Sequence, residues 1–305
     1  MTAEAAIQTN SLAKSYGRIQ ALHGLTMTVP QGEVFGFLGP NGAGKTTAVR
    51  LLLGLARPTS GGGTLLGRPL GDRGARREVG YLPELFRYQG WMRADEVLRF
   101  HCSLTGIARG DRGDQIERVL STVGLTARTK DRVGAFSKGM QQRLGIGVAL
   151  LGDPKLVFLD EPTSALDPVG RHDVRDIIST LAAGGATVFL NSHLLSEVER
   201  ICQRVAIVDH GTIIATGSLD ELLAGHDSVR IRVGDHDDAL PVAARFGSAE
   251  RDGDWIVVHQ LPDDRIPDLV DALVAAKMRV RGVVPAHQSL EDRFLELLDA
   301  EASPS

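Results

Sequence analysis

The sequence predicts an α/β fold followed by a small α+β domain, and three observations carry that expectation. A short apolar run, Val34–Leu38, leads into GPNGAGKTT and then into an apolar stretch of helical length over 48–55. A second run at 156–159 ends in adjacent acids, Asp160 and Glu161. Short continuous apolar runs of this kind suit buried parallel strands. Beyond about residue 225 the pattern changes to short alternating and helical segments. The expected division is 1–225 and 226–305.

Composition sets the limits. The chain has 305 residues, 43% hydrophobic and 24% charged, so a sizeable core is expected and global disorder is excluded. No stretch approaches the ~20 apolar residues of a membrane helix. The start, MTAEAAIQTNSLAKSYG, lacks the basic and apolar regions of a signal peptide. A cytoplasmic protein is expected. Cys102 and Cys202 have no metal-type spacing and are read as reduced, buried thiols. Residues 227–305 hold 16 acids against 9 Lys or Arg, while the whole chain carries a net −4. Neither part has a basic block, so no nucleic-acid partner is expected.

GPNGAGKTT fits G-x-x-x-x-G-K-[ST] between a strand and a helix. Gly39, Gly42 and Gly44 let the backbone curl so that its N–H groups face phosphate oxygens. The helix starting near Lys45 adds its positive end. Gly39, Pro40, Asn41, Gly42, Ala43, Gly44, Lys45, Thr46 and Thr47 are read as the phosphate-binding set. Lys45 reaches the outer phosphates, and the Thr46 hydroxyl suits Mg²⁺. Asp160 and Glu161 stand at a strand's carboxyl end, where open α/β sheets place ligands. Asp160 is read as support for the metal, and Glu161 as the base that polarises water. A third stretch, FSKGMQQRLGIG at 136–147, contains no acid, cysteine or histidine. It reads as a loop feeding a helix, with Ser137 at the cap.

GPNGAGKTT, FSKGMQQR, LVFLDEPTSALDP and NSH occur in that order, and over about residues 5–225 the chain closely resembles ATP-binding cassette (ABC) ATPases. The resemblance implies a P-loop ATPase cassette with a helical subdomain over about 85–150, binding ATP and Mg²⁺. FSKGMQQ is similar to the family signature L-S-G-G-Q. Phe136 replaces Leu, Lys138 replaces the first Gly and Met140 precedes Gln141, while Ser137 and Gly139 are retained. In the family two subunits stack head to tail, so Ser137, Lys138, Gly139, Met140 and Gln141 are implied to clamp ATP held by a second subunit. Tyr16 matches the aromatic that stacks on adenine. His193 matches the switch histidine at the γ-phosphate, which makes Glu161, His193 and Lys45 the implied catalytic set. Asp167 matches the loop linking the two sites. Glu84 stands where the family has a metal-sensing Gln, and is read as a metal-binding candidate beside Thr46 and Asp160.

Tyr81, Phe86, Tyr88, Trp91 and Phe100 lie within twenty residues. Aromatics anchor interfaces, and in this family residues 84–100 face a separate integral-membrane permease. Internal packing of the helical subdomain is the other reading of those rings. The resemblance places the protein at the cytoplasmic face of a membrane. Its rivals are soluble cassettes acting on DNA or ribosomes, but the chain has no coiled-coil insertion and no second cassette, and no N-K-x-D guanine motif supports a GTPase.

In the last eighty residues Val229, Ile231 and Val233 alternate with arginines, and WIVVH and MRVRGVVP read as further strands. Ile266, Leu269, Val270, Leu273 and Val274 follow helical spacing, as do Leu290, Phe294, Leu297 and Leu298. The order expected is strand, helix, strand, helix, strand, helix. Asp235, Asp237, Asp238, Asp263 and Asp264 are read as solvated loop acids. The tail SLEDRFLELL is similar to those of bacterial drug- and antibiotic-export ATPase subunits.

Overall fold

The computed structural model describes residues 4–164, 166–223, 228–234, 236–286 and 289–302. The chain forms two compact units, 1–217 and 218–305.

The first unit is built on strands whose side chains are buried on both faces. β3 (Val34–Leu38), β7 (Leu156–Asp160) and β8 (Thr187–Ser192) have no exposed residue, which is why they read as continuous apolar runs. Phe35, Phe37 and Phe158 each meet the Phe189 ring at 5.0–5.8 Å between centroids. With β6 (Val79–Leu82), β9 (Arg204–Asp209) and β10 (Thr212–Ser218) they form a sheet of order β10-β9-β3-β8-β7-β6. The pairs of β3 with β8 and β9, of β7 with β8 and of β6 with β7 are parallel.

A second sheet, of order β2-β1-β4-β5, contains β1 (Ala5–Tyr16), β2 (Ile19–Pro30), β4 (Ser60–Leu65) and β5 (Arg68–Pro69). Its buried Ile7, Leu25 and Met27 share one core with Phe35, Phe37 and the inner face of helix α1 (Lys45–Leu52). Helix α2 (Arg73–Arg77) is capped by Asp72, which accepts from Ala75 N.

Helices α3 (Ala94–Leu104), α4 (Arg112–Thr122) and α5 (Lys138–Ala149) pack on one another. Val97, Leu98, Ile116, Leu120, Leu144 and Ile146 are buried among them. Both cysteines are buried free thiols, and burial pushes the Cys202 thiol far up.

α6 (Pro168–Ala183) and α7 (Leu195–Ile201) are tied by a buried pair. Arg175 Nη1 donates to both oxygens of Glu197 at 3.1 Å, with side-chain exposures of 17% and 9%. Removing one partner of such a pair strands a buried charge. Arg175 keeps some access to solvent, so Glu197→Ala should destabilise the first unit by about 1.5–3 kcal/mol, the worth of hydrogen bonds to charged groups. Replacing both residues with Leu and Met should recover most of that loss. Denaturant unfolding checks both outcomes, and a single variant as stable as the double would refute the pairing argument.

The second unit contains α8 (Leu219–Leu223), β11 (Ser228–Val233), α9 (His236–Ala243), β12 (Ser248–Asp252), β13 (Trp255–His259), α10 (Ile266–Ala275), β14 (Val280–Ala286) and α11 (Leu290–Ala302). The middle six form a split βαββαβ arrangement with antiparallel order β12-β13-β11-β14. Val229, Ile231, Val233, Ile256, Val258, Leu269 and Leu273 make its core.

This corrects the expected order by one strand, β12, ahead of β13. α9 contains Pro241, and β12 is an edge strand exposed except at a half-buried Ala249, so neither shows an apolar period. Asp237 and Asp238 accordingly lie on α9 rather than in a loop. Asp263 and Asp264 are exposed just ahead of α10, and Asp235 lies outside the described residues. Leu290 is fully buried, Phe294, Leu297 and Leu298 are half-buried, and α11 packs on α8.

Candidate nucleotide site

The parallel register brings three strand ends to one level. Leu38 pairs with Ser192, and Asp160 pairs with Asn191. The loop after β3, the acids at the end of β7 and His193 after β8 therefore converge. Thr46, Lys45, Glu84, Asp160, Glu161, Asn191 and His193 line one cleft of about 320 Å³, together with Asn41, Gly42, Gly44 and Thr47.

Two glycines are required by geometry here. A Cβ on Gly39 would stand 2.1 Å from the Val208 carbonyl oxygen. Gly44 has φ +98° and is the residue from which α1 starts. No side chain caps α1, so its first amides remain available to a ligand, as the helix start of a phosphate loop requires. Lys45 is buried, and its Nζ donates to the carbonyls of Gly39 at 2.6 Å and Pro40 at 3.1 Å. Burial lowers the Lys45 pKa, while Glu161, Asp160 and Glu84 pull it back up.

Asp160 is 3% exposed. Burial raises its pKa, opposed by the hydrogen bond from Asn191 Nδ2 at 2.5 Å. Glu84 and Glu161 raise it further, and Lys45 lowers it. Glu161 takes the left-handed conformation at φ +52°. It is held there by its N–H donating to Asn191 O at 2.8 Å and by Ser164 Oγ donating to its carbonyl at 2.9 Å. Backbone strain of this kind gathers at functional sites. His193 Nδ1 lies 2.7 Å from Glu161 Oε2. The two are out of line for a hydrogen bond, so this buried oxygen has no hydrogen-bond partner.

The donor set fits a hard cation: the Asp160 carboxylate and the Thr46 hydroxyl line the cleft together. Among the described residues no three His, Cys, Asp or Glu are grouped closely enough to hold a metal. Glu84 lines the cleft but is exposed and does not complete such a group with Asp160 and Glu161. Mg²⁺ is commonly held by one or two carboxylates plus substrate phosphates, which is the arrangement this cleft suits.

The remaining expected residues lie elsewhere. Ser137, Lys138, Gly139 and Met140 line a different cleft, shared with Asp167 at the start of α6. Ser137 Oγ accepts from Met140 N at 3.2 Å and caps α5, and Gln141 Nε2 donates to Phe136 O. Asp167 caps α6 by accepting from Gly170 N at 2.9 Å. Tyr16 is half exposed, with Lys14 Nζ 4.9 Å from its ring centroid. Of the aromatic cluster, half-buried Phe86 and Tyr88 meet at 5.4 Å between centroids, tilted by 50°. Trp91 and Phe100 are exposed, beside exposed Leu85 and Leu104. Internal packing thus holds for Phe86 and Tyr88, whereas Trp91 and Phe100 face outward.

The model of the family described as "ABC transporter" matches residues 22–164. An uncharacterized ABC transporter ATP-binding protein of Synechocystis is 42% identical over 284 residues, covering 92% of this chain and 79% of that one. The chain belongs to the ATP-binding subunits of ABC transporters. The Nod factor export ATP-binding protein I of a Rhizobium species is 38% identical over 223 residues, covering 72% of this chain and 73% of its own. A solved structure titled as the ATP binding subunit of an ABC transporter superposes with a TM-score of 0.64 at 30% identity, over 71% of this chain and 91% of that one. As an ABC ATPase subunit the protein binds and hydrolyses ATP to power a membrane permease. Among the described residues, no helix is long and apolar enough to cross a membrane.

Sequence reasoning passed over Asn191. The signal was a buried amide interrupting the apolar run of β8 directly opposite Asp160. The α5 cap gives this subunit a measurable signature. Ser137→Ala should cost about 1 kcal/mol of stability and Ser137→Gly only a few tenths. Thermal unfolding of the two variants checks this, and equal losses would show that the hydroxyl does not hold the helix start.

Proposed function

We propose that this subunit drives export, with ATP sandwiched between two copies of the chain. The observation that carries this reading is the separation of two half-sites. The phosphate loop, Asp160, Glu161 and His193 share one cleft, while the capped start of α5 and Asp167 share another, with no residue in common. A second copy, turned head to tail, would bring Ser137, Lys138, Gly139, Met140 and Gln141 to the phosphates held at Lys45. The Nod factor export relative and the SLEDRFLELL tail support export as the direction.

In this reading Lys45 and the amides at 42–47 hold the outer phosphates, and Tyr16 stacks on adenine. Thr46 and Asp160 would hold Mg²⁺, and Glu84, which lines the same cleft, is the third candidate ligand. When bound, Mg²⁺ neutralises phosphate charge. Glu161 accepts the proton of the attacking water, and His193 links that carboxylate to the γ-phosphate. Asp167, at the head of α6, passes the state of one site to the other. Exposed Leu85, Trp91, Phe100 and Leu104 offer the permease an apolar face within or beside residues 84–100. That contact places the subunit on the cytoplasmic face of the membrane. Residues 1–225, with a helical part over 85–150, make up the ATPase domain, and 226–305 is an accessory domain.

Glu161→Gln should keep ATP binding but lower turnover by about 10²–10⁴-fold, the usual worth of general-base help. Light scattering should show this variant accumulating as an ATP-dependent dimer. Steady-state hydrolysis at the wild-type rate would remove Glu161 from the role of base.

Replacing both Trp91 and Phe100 by Ser should release the subunit from its permease without changing nucleotide affinity. Anchors of this kind are each worth about 2 kcal/mol or more. Co-purification of an integral-membrane partner from detergent extracts reads the effect, and undiminished recovery would move the docking face elsewhere.

A further inference from the structure

Asn191 is 2% exposed at the end of β8, and its surroundings fix the orientation of its amide. An ionised carboxylate only accepts hydrogen bonds. The bond to Asp160 Oδ1 therefore places Nδ2 toward that acid and turns Oδ1 away from it. Oδ1 is buried and has no hydrogen-bond partner. The residue lines the same cleft as Lys45, Thr46, Asp160 and Glu161. An acceptor left this way carries its full desolvation penalty until a donor arrives. Among the described residues none donates to it.

The backbone of the same residue has a second use. Its carbonyl accepts from Glu161 N at 2.8 Å, one of the contacts that keep Glu161 at φ +52°. One residue thereby sets the direction of two neighbouring acids, Asp160 by its side chain and Glu161 by its main chain. Ligands of bound metals are commonly oriented by outer partners of this type, and loss of such a partner costs about 10–100-fold in metal affinity.

We propose that Asn191 is a positioning residue of the metal–nucleotide site: Nδ2 holds Asp160 toward the cation, and the main-chain carbonyl holds the turn at Glu161. This inference rests on the assignment of Mg²⁺ to Asp160 and Thr46. Neither role requires Asn191 to touch the reacting atoms.

The test uses the full chain and a non-hydrolysable ATP analogue. Its affinity is measured by calorimetry with excess Mg²⁺ and again in EDTA, and Mn²⁺ binding to the analogue complex is followed by electron paramagnetic resonance. Asn191→Ala and Asn191→Leu are compared with wild type; Leu keeps the heavy-atom count and Cγ branching of Asn without its polar atoms, and guards against collapse of the strand end. Both variants should lose about tenfold or more of the metal-dependent gain in affinity, about 1.4 kcal/mol, with Mn²⁺ affinity falling in step. Affinity in EDTA should stay at the wild-type value. Retention of the full metal-dependent gain by a folded variant would overturn the proposal, as would equal losses with and without metal, the mark of a merely structural role. If wild type itself gains nothing from metal, the Mg²⁺ assignment fails and takes this inference with it. A wild-type gain kept by the variants overturns the inference alone.

Discussion

The parallel register of β3, β7 and β8 is the constraint on which the rest of this molecule depends. With Leu38 level with Ser192 and Asp160 level with Asn191, a loop, a pair of acids and a histidine that are far apart in sequence arrive at one edge of the sheet. Parallel strands hide both faces, so only their ends can meet a ligand. The packing of Phe35, Phe37 and Phe158 around Phe189 holds that level, and the polar groups at the strand ends inherit their geometry from it.

What gathers there is an electrostatic arrangement in need of a ligand. A buried ammonium sits among three carboxylates, two of them buried, and donates to two carbonyls of its own loop. Burial disfavours the charged forms of Lys45 and Asp160 alike. Phosphate oxygens suit Lys45 and the bare start of α1, and the acids opposite them suit a positive charge. Glu84 adds one negative charge beyond what a glutamine would bring.

The two helix starts illustrate how similar local structures acquire different uses. α1 begins at a glycine with no side chain across its amides, whereas α5 begins at Ser137 and α6 at Asp167, both capped. An uncapped start buried against a sheet edge is costly unless something else meets its N–H groups. The capped starts are stable alone and line a cleft of their own. The first is thus an intrachain site awaiting phosphate, and the others form a surface that is free to meet another molecule.

The sequence by itself determined the elements whose chemistry is local. The glycine spacing and lysine of the phosphate loop, the acids closing the apolar run before Asp160, and the serine heading α5 all act through neighbours within a few residues, so spacing alone revealed them. The core strands were legible for the same reason, since burial on both faces writes an unbroken apolar run. Only the tertiary structure decided what depends on register and on partners distant in sequence. Asn191 looks like an ordinary polar residue until β8 is laid beside β7, and Glu197 looks like a surface acid until α7 meets Arg175. β12 was missed, and α9 could not be located by residue, because a charged edge strand and a proline-containing helix carry no apolar period. Hydrophobic patterning records how a segment meets the core, whereas a hydrogen bond between 160 and 191 is created by the fold and leaves no period in the chain.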